Sequence, residues 1–201
     1  GTKMFVVGND GDDINEYTLS TSFDVSSATF VDSFDVSGQD TGPVSIAFNN
    51  DGTKMFVSGN AGDDINEYTL TTGFDVSSAT FVDSFDVSGQ DTGPKGITFN
   101  NDGTKMFVVG NAGDDINEYT LTTGFDVSSA TFVDSFDVSG QDTAPRGLTF
   151  NNDGTKMFVV GNAGEDINEY TLSCHFKVTA TSTCDAPPKI KEVRGIVDAQ
   201  I

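Results

Sequence analysis

The side chains best suited to chemistry in this chain of 201 residues are carboxylates set among glycines. Asp63 and Asp64 follow Gly62, Asp114 and Asp115 follow Gly113, and Asp91 and Asp142 stand in the neighbouring strings "SGQDTG" and "SGQDTA". Hard oxygen ligands on pliable backbone are what Ca²⁺ takes. The spacing is not that of an EF-hand loop, and Asp-Asp after Gly is also an ordinary way to open a strand after a turn. Calcium binding is therefore one expectation for these six residues, and solvated loop carboxylates are the other.

Catalysis has less to work with. A nucleophilic or acid–base site needs unlike groups converging on one point, whereas this chain offers the same groups over and over. The sole histidine, His175, is adjacent to Cys174, and adjacency in sequence is not a catalytic dyad. Cys174 and Cys184 are the only cysteines and lie in the one region whose wording departs from the rest. As a pair they would staple a loop of about ten residues, contributing on the order of 2–3 kcal/mol by chain entropy, and would imply an oxidising compartment. The other reading is two unrelated thiols. On these grounds the chain is expected not to be an enzyme.

Charge narrows the partners. Asp and Glu number 31 against 10 Lys and Arg, a formal charge of -21, which excludes a nucleic-acid backbone or an anionic membrane surface. Cations, cationic surfaces and neutral glycans remain. The same charge keeps a β-rich chain soluble and discourages edge-to-edge pairing. No stretch approaches the roughly 18 apolar residues of a membrane span, and no basic region precedes an apolar one at the N-terminus, so membrane insertion is not expected. Because the chain opens inside a repeat, a leader further upstream is left open.

The elements that position these groups follow from that repeat. Met4, Met55, Met106 and Met157 stand at intervals of 51, as do Tyr17, Tyr68, Tyr119 and Tyr170, a period that marks a supersecondary unit. Within one unit, "KGITFNN" (95–101) and "KMFVVGN" (105–111) are rich in β-formers, and Asn-Asp-Gly between them makes a tight hairpin turn. The unbroken apolar run "MFVV" requires both faces of its strand to be covered. "DINEYTL" (115–121) alternates Ile116, Glu118 and Thr120 with Asn117, Tyr119 and Leu121, and "ATFVDSFDVS" (130–139) places Phe132, Phe136 and Val138 on one face with Val133 opposite. Four short antiparallel strands per unit, apolar on both sides, describe an all-β propeller blade. The phenylalanines, Phe30 and Phe34 among them, are expected in the core.

The segment "GPKGITFNNDGTKMFVVGN" resembles the "P-x-G-hydrophobic, Asp-Gly-x-hydrophobic-Phe/Tyr-Val" consensus of the YVTN, NHL and lactonase-like propeller superfamily, and similar repeats occur in bacterial surface proteins. The likeness covers about the first half of each blade through residues 43 to 162. It implies strands A to D running outward from a central axis, with A lining the channel, and carries no residue-level match to the superfamily's hydrolases.

The chain is expected to form one propeller domain with about four blades: strands B to D of blade 1 over 1–37, blade 2 over 43–88, blade 3 over 94–139 and blade 4 over 145–184. Residues 185–201 would supply a strand that closes the ring or is donated. "VRGIVDAQ" (193–200) lies beside "PRGLTFNN" (145–152) in wording, and blade 1 lacks a strand A. Three uses of these ends stay open: closure within the chain, membership of a longer propeller, and exchange with another copy into a ring or filament.

In such a blade the B–C and D–A loops share one face, so the six aspartates would form an acidic rim. Val44, Lys95 and Arg146, where otherwise near-identical copies differ, would sit at the channel mouth, either as a selected binding site or as neutral drift. The resulting functional reading is a secreted or surface-exposed structural and adhesive scaffold. The alternative is a multivalent glycan-binding propeller, although the chain has no Trp and one Tyr per unit; third is a lactonase-like hydrolase.

Overall fold

A computed structural model describes residues 1–178 and the backbone of 189–193. Fifteen strands fall into four antiparallel sheets, each in sequence order. The first holds β1 (Lys3–Gly8), β2 (Asp13–Leu19) and β3 (Ala28–Asp35). The second holds β4 (Pro43–Phe48), β5 (Lys54–Gly59), β6 (Asp64–Leu70) and β7 (Ala79–Asp86). The third holds β8 (Pro94–Phe99), β9 (Lys105–Gly110), β10 (Asp115–Leu121) and β11 (Ala130–Asp137). The fourth holds β12 (Pro145–Phe150), β13 (Lys156–Gly161), β14 (Ile167–Thr171) and β15 (Lys189–Val193). These are the blades of a β-propeller, with the expected repeat.

Local chemistry explains the strands. Gly52, Gly103 and Gly154 take φ near +70° in the Asn-Asp-Gly turns, where a side chain would be strained and would also run into the ring of Phe74, Phe125 or Phe176. Asp51 Oδ1 accepts the Thr53 amide at 3.0 Å and closes the same turn from the side-chain end.

Each blade has two unlike faces. Ile14 and Val36 of blade 1 pack on Met55, Val57, Tyr68 and Val76 of blade 2. Phe56, Ile65 and Val87 of blade 2 pack on Met106, Val108, Tyr119 and Val127 of blade 3. Phe107, Val109, Ile116 and Val138 pack likewise on Met157, Val159, Tyr170 and Val178. This strand, "MFVS" in blade 2 and "MFVV" in blade 3, is thus covered on both faces there but not at the ends, where Val6 is 43% and Val160 46% exposed, as is Ile167 of β14 at 54%.

Two expectations are corrected. The outer strands carry a β-bulge: Tyr119 pairs with Phe132 and Glu118 with Asp134, leaving Val133 without a partner. The extra residue reverses the alternation, so Phe132 packs on Tyr119 of its own blade while Phe136 crosses to Tyr170 of the next. Phe30, its equivalent in blade 1, is exposed rather than core, whereas Phe34 packs into the interface. The outer strand of blade 4 is Lys189–Val193, paired to β14, inside the segment expected to close the ring and beyond the 145–184 limit. The rest of that proposed closing strand, 194–200, lies outside the described residues, as does Cys184, the expected partner of Cys174.

A repeated polar latch crosses every interface. Lys54 Nζ donates to Glu67 Oε1 at 2.6 Å within blade 2 and to the Phe125 carbonyl at 2.6 Å in blade 3. Glu67 Oε2 accepts the Val127 amide at 2.9 Å. Lys3 and Glu16 repeat this toward Phe74 and Val76, and Lys105 and Glu118 toward Phe176 and Val178. The receiving phenylalanines hold φ of 58°, 58° and 48°, a left-handed conformation that the latch supports.

Removing one partner of a buried pair leaves the other uncompensated. Glu118→Ala is therefore expected to destabilise the fold by about 3 kcal/mol in urea unfolding. Lys105→Met with Glu118→Leu, which removes both charges, should recover most of that loss.

Candidate functional site

The B–C and D–A loops do share a face, and one aspartate per junction stitches them together. Asp40, Asp91 and Asp142 are almost fully buried. Asp91 Oδ1 accepts the Gly93 amide at 2.6 Å and Oδ2 the Gly113 amide at 3.2 Å. Asp40 does the same with Gly42 and Gly62, and Asp142 with Ala144 and Gly164. Any Cβ on Gly59, Gly110 or Gly161 would enter the carboxylate, which explains the glycine that ends the B strand of blades 2 to 4. Asp40 was missed as a site residue, although "SGQDTG" spells it out.

Asp64 and Asp115 accept from the side-chain amides of Asn66 and Asn117 at 2.7 and 2.8 Å. Burial nevertheless holds both carboxyls above the usual carboxylate range, with the charge of Asp40 or Asp91 adding to it. Asp63 and Asp114 take φ of 50° and 51°, and their main-chain carbonyls accept the Val87 and Val138 amides. One carboxylate oxygen of each is buried without a hydrogen-bond partner.

The six aspartates expected to bind calcium thus divide into separate structural roles. Among the described residues no three carboxylate, histidine or cysteine side chains gather where an ion could sit, and both oxygens of Asp91 and Asp142 are taken by amides.

The residues expected at a channel mouth are better assembled. Pro43 pairs with Gly59 and Ser45 with Ser58, so Val44 is a bulged residue. Lys95 and Arg146 occupy the same bulge in blades 3 and 4. Bulges re-aim side chains, and these three converge with Val7, Asn9 and Pro43 around a depression of about 280 Å³. Lys95 Nζ donates to Asn60 Oδ1 at 2.8 Å. Burial first, and then the charge of Arg146, holds its ammonium below the usual lysine range. Two cations and an amide can hold an anionic group, and no carboxylate, hydroxyl or thiol side chain stands among these lining residues. His175 acts electrostatically on Asp153, in the A–B turn of blade 4.

Tyr68 and Tyr119 are fully buried and Tyr170 nearly so, with hydroxyls donating to Gln39, Gln90 and Gln141 at 3.3, 3.4 and 3.1 Å. Burial raises all three phenols, that of Tyr170 to about 12. These rings pack between blades and cannot stack on a sugar.

No family model matches the chain, and no curated protein matches it. Solved structures do. A candidate 6-phosphogluconolactonase from Bacteroides fragilis superposes with a TM-score of 0.62 at 16% identity, over 96% of this chain and 55% of its own. Virginiamycin B lyase from Staphylococcus aureus gives 0.57 at 16% identity, over 98% and 53%. The Cps50 (Swd1) β-propeller domain of Myceliophteria thermophila gives 0.55 at 9% identity, over 86% and 50%. Identities this low show the fold alone. The chain spans about half the length of these structures.

A carboxyl whose folded pKa is raised contributes stability at low pH that is lost as pH rises through that value. Asp64→Asn and Asp115→Asn should therefore raise the melting temperature at neutral pH by about 1–3 °C. The advantage should vanish as pH falls to the ordinary carboxylate value of 3.8, as read in thermal melts across acidic buffers. Melts in excess Ca²⁺ and in chelator should coincide.

Proposed function

We propose that this chain is a non-enzymatic β-propeller scaffold that works outside the cell or at its surface by adhesion. The observation that carries the reading is on the outer strands. Phe30, Phe81 and Phe132 are 54%, 40% and 40% exposed, each beside an exposed, bulged valine, Val31, Val82 or Val133. Each pair is followed by an exposed aspartate, Asp32, Asp83 or Asp134. Three successive blades thus repeat one exposed apolar pair beside a carboxylate. Identical weak sites in a row favour multivalent attachment, and their chemistry suits a cationic, partly apolar surface.

The glycan-binding alternative loses the tyrosines of blades 2 to 4, which lie between sheets. The lactonase-like reading lacks a carboxylate, hydroxyl or thiol side chain among the residues lining the mouth. The bacterial surface repeats that the sequence resembles are consistent with an extracellular setting.

The test is retention of the purified chain on polylysine-coated and alkyl-coated sensors. Phe30→Ser, Phe81→Ser and Phe132→Ser should each weaken retention modestly, and the triple variant by at least about tenfold through lost avidity, with a cooperative melt retained at a somewhat lower temperature because each ring also packs on a tyrosine of its own blade. Undiminished retention by a folded triple variant would sink the adhesive reading. Turnover on a lactone and ester panel that Arg146→Ala abolishes would replace it with an enzyme.

A further inference from the structure

At one place this acidic chain sets two positive charges side by side. Lys3, Lys54, Lys105 and Lys156 each face a glutamate of their own blade. Lys95 and Arg146 do not: among the described residues neither has a carboxylate within ion-pairing distance. Lys95 Nζ is anchored instead on Asn60 Oδ1 of the preceding blade.

The backbone brings the two cations together. β8 packs beside both β4 and β12. A Cβ on Gly96 would stand 2.9 Å from the Arg146 carbonyl and 3.2 Å from the Gly147 Cα, so glycine is what lets these strands approach so closely. Lys95 and Arg146 directly precede those glycines, at equivalent bulges. Burial, and then the charge of Arg146, disfavours the Lys95 ammonium, so an anion held between the two would relieve a cost already present in the fold. The third bulged residue, Val44, and Pro43 beside it give the same depression of about 280 Å³ a wall of hydrocarbon.

We propose that Lys95 and Arg146 bind a short-chain aliphatic monocarboxylate, its carboxylate on the two cations and its hydrocarbon end against Pro43 and Val44. Size, charge and wall each narrow the ligand to this class. A hollow of this volume is at the small end of ligand sites. The arginine fork matches the two oxygens of a carboxylate, and the lysine adds a point charge. Asp63 and Asp91 also act on Lys95, and the whole chain carries a charge of -21. That surrounding negative field penalises every further charge on the ligand, which favours a monoanion over phosphate and excludes a polyanion. The site stands at the opposite sheet edge from the outer strands that carry Phe81 and Phe132, so it is independent of the adhesive reading.

The experiment is a ¹H–¹⁵N NMR titration of the full chain with sodium pentanoate. The amides of Val44, Lys95, Gly96 and Gly147 should shift saturably. Pentanamide, which keeps the shape without the charge, should leave them still, and inorganic phosphate should bind more weakly than pentanoate. Arg146→Gln alters an exposed residue and should keep the parent's melting profile while weakening pentanoate at least about tenfold, as the loss of one hydrogen bond between charged groups requires. Lys95→Gln should weaken it to a similar degree. Val44→Ser should weaken pentanoate by about fourfold and leave acetate, which has no chain to lay on the wall, unchanged. The proposal is overturned by a parent chain with no saturable shift, by pentanamide binding as well as pentanoate, by phosphate binding more tightly, or by undiminished binding in a folded Lys95→Gln, Arg146→Gln double variant. Equal losses of acetate and pentanoate in Val44→Ser would overturn the aliphatic class as well.

Discussion

One carboxylate per junction holds the blades in register. Glu16, Glu67 and Glu118 are nearly inaccessible to solvent, and each faces a lysine of its own blade and an amide of the next. Apolar faces are non-directional, so burying Phe, Val and Met against one another would hold two sheets together without fixing how far one slides along the other. A charge taken out of water is costly unless every lone pair is met, and here it is met in one alignment only. The strained phenylalanine turn belongs to the same device, for its carbonyl is the second acceptor of the lysine. Oily faces supply adhesion between sheets, and the carboxylate supplies the alignment.

The acidic residues are divided between interior and rim in a way that net charge conceals. Asp40, Asp91 and Asp142 are covered and act as amide acceptors between loops. Asp35, Asp86 and Asp137 lie at the surface, where the hydroxyl and amide of the following serine hold their carboxyls below the usual range. On the outer strands, the aspartates beside the bulge set like charges along each sheet edge and oppose its pairing with another edge. The excess of acid thus serves turn closure, loop stitching and edge protection at once.

Much of the fold was legible because it rests on short-range chemistry. The Asn-Asp-Gly turns, the doubly apolar strand and the alternation in "DINEYTL" each state their own geometry, and the repeat multiplied each signal. Phe132 and Phe136 misled because a bulge shifts the period of two by one residue without any mark in side-chain type. Lys54 and Glu67 gave no hint of partnership, being 13 residues apart, and still less of Phe125 and Val127, whose roles depend on how neighbouring sheets stack. At the candidate site the residues Val44, Lys95 and Arg146 stood out because the copies disagree there. The aspartates looked like ligands because residue type cannot tell a free lone pair from one already bonded to an amide.

Near-identity of the strands has a consequence for how the chain reaches this state. β5 carries nearly the same side chains as β9, and β6 the same as β10, so pairing β5 with β10 would satisfy almost every ladder bond and contact that pairing it with β6 does. Contact energy hardly distinguishes the two. What separates them is the few residues between β5 and β6 against the more than fifty between β5 and β10, a difference in loop-closure entropy and therefore in speed. Correct assembly of such a sequence is a kinetic outcome, secured by hairpins that close before distant twins can meet.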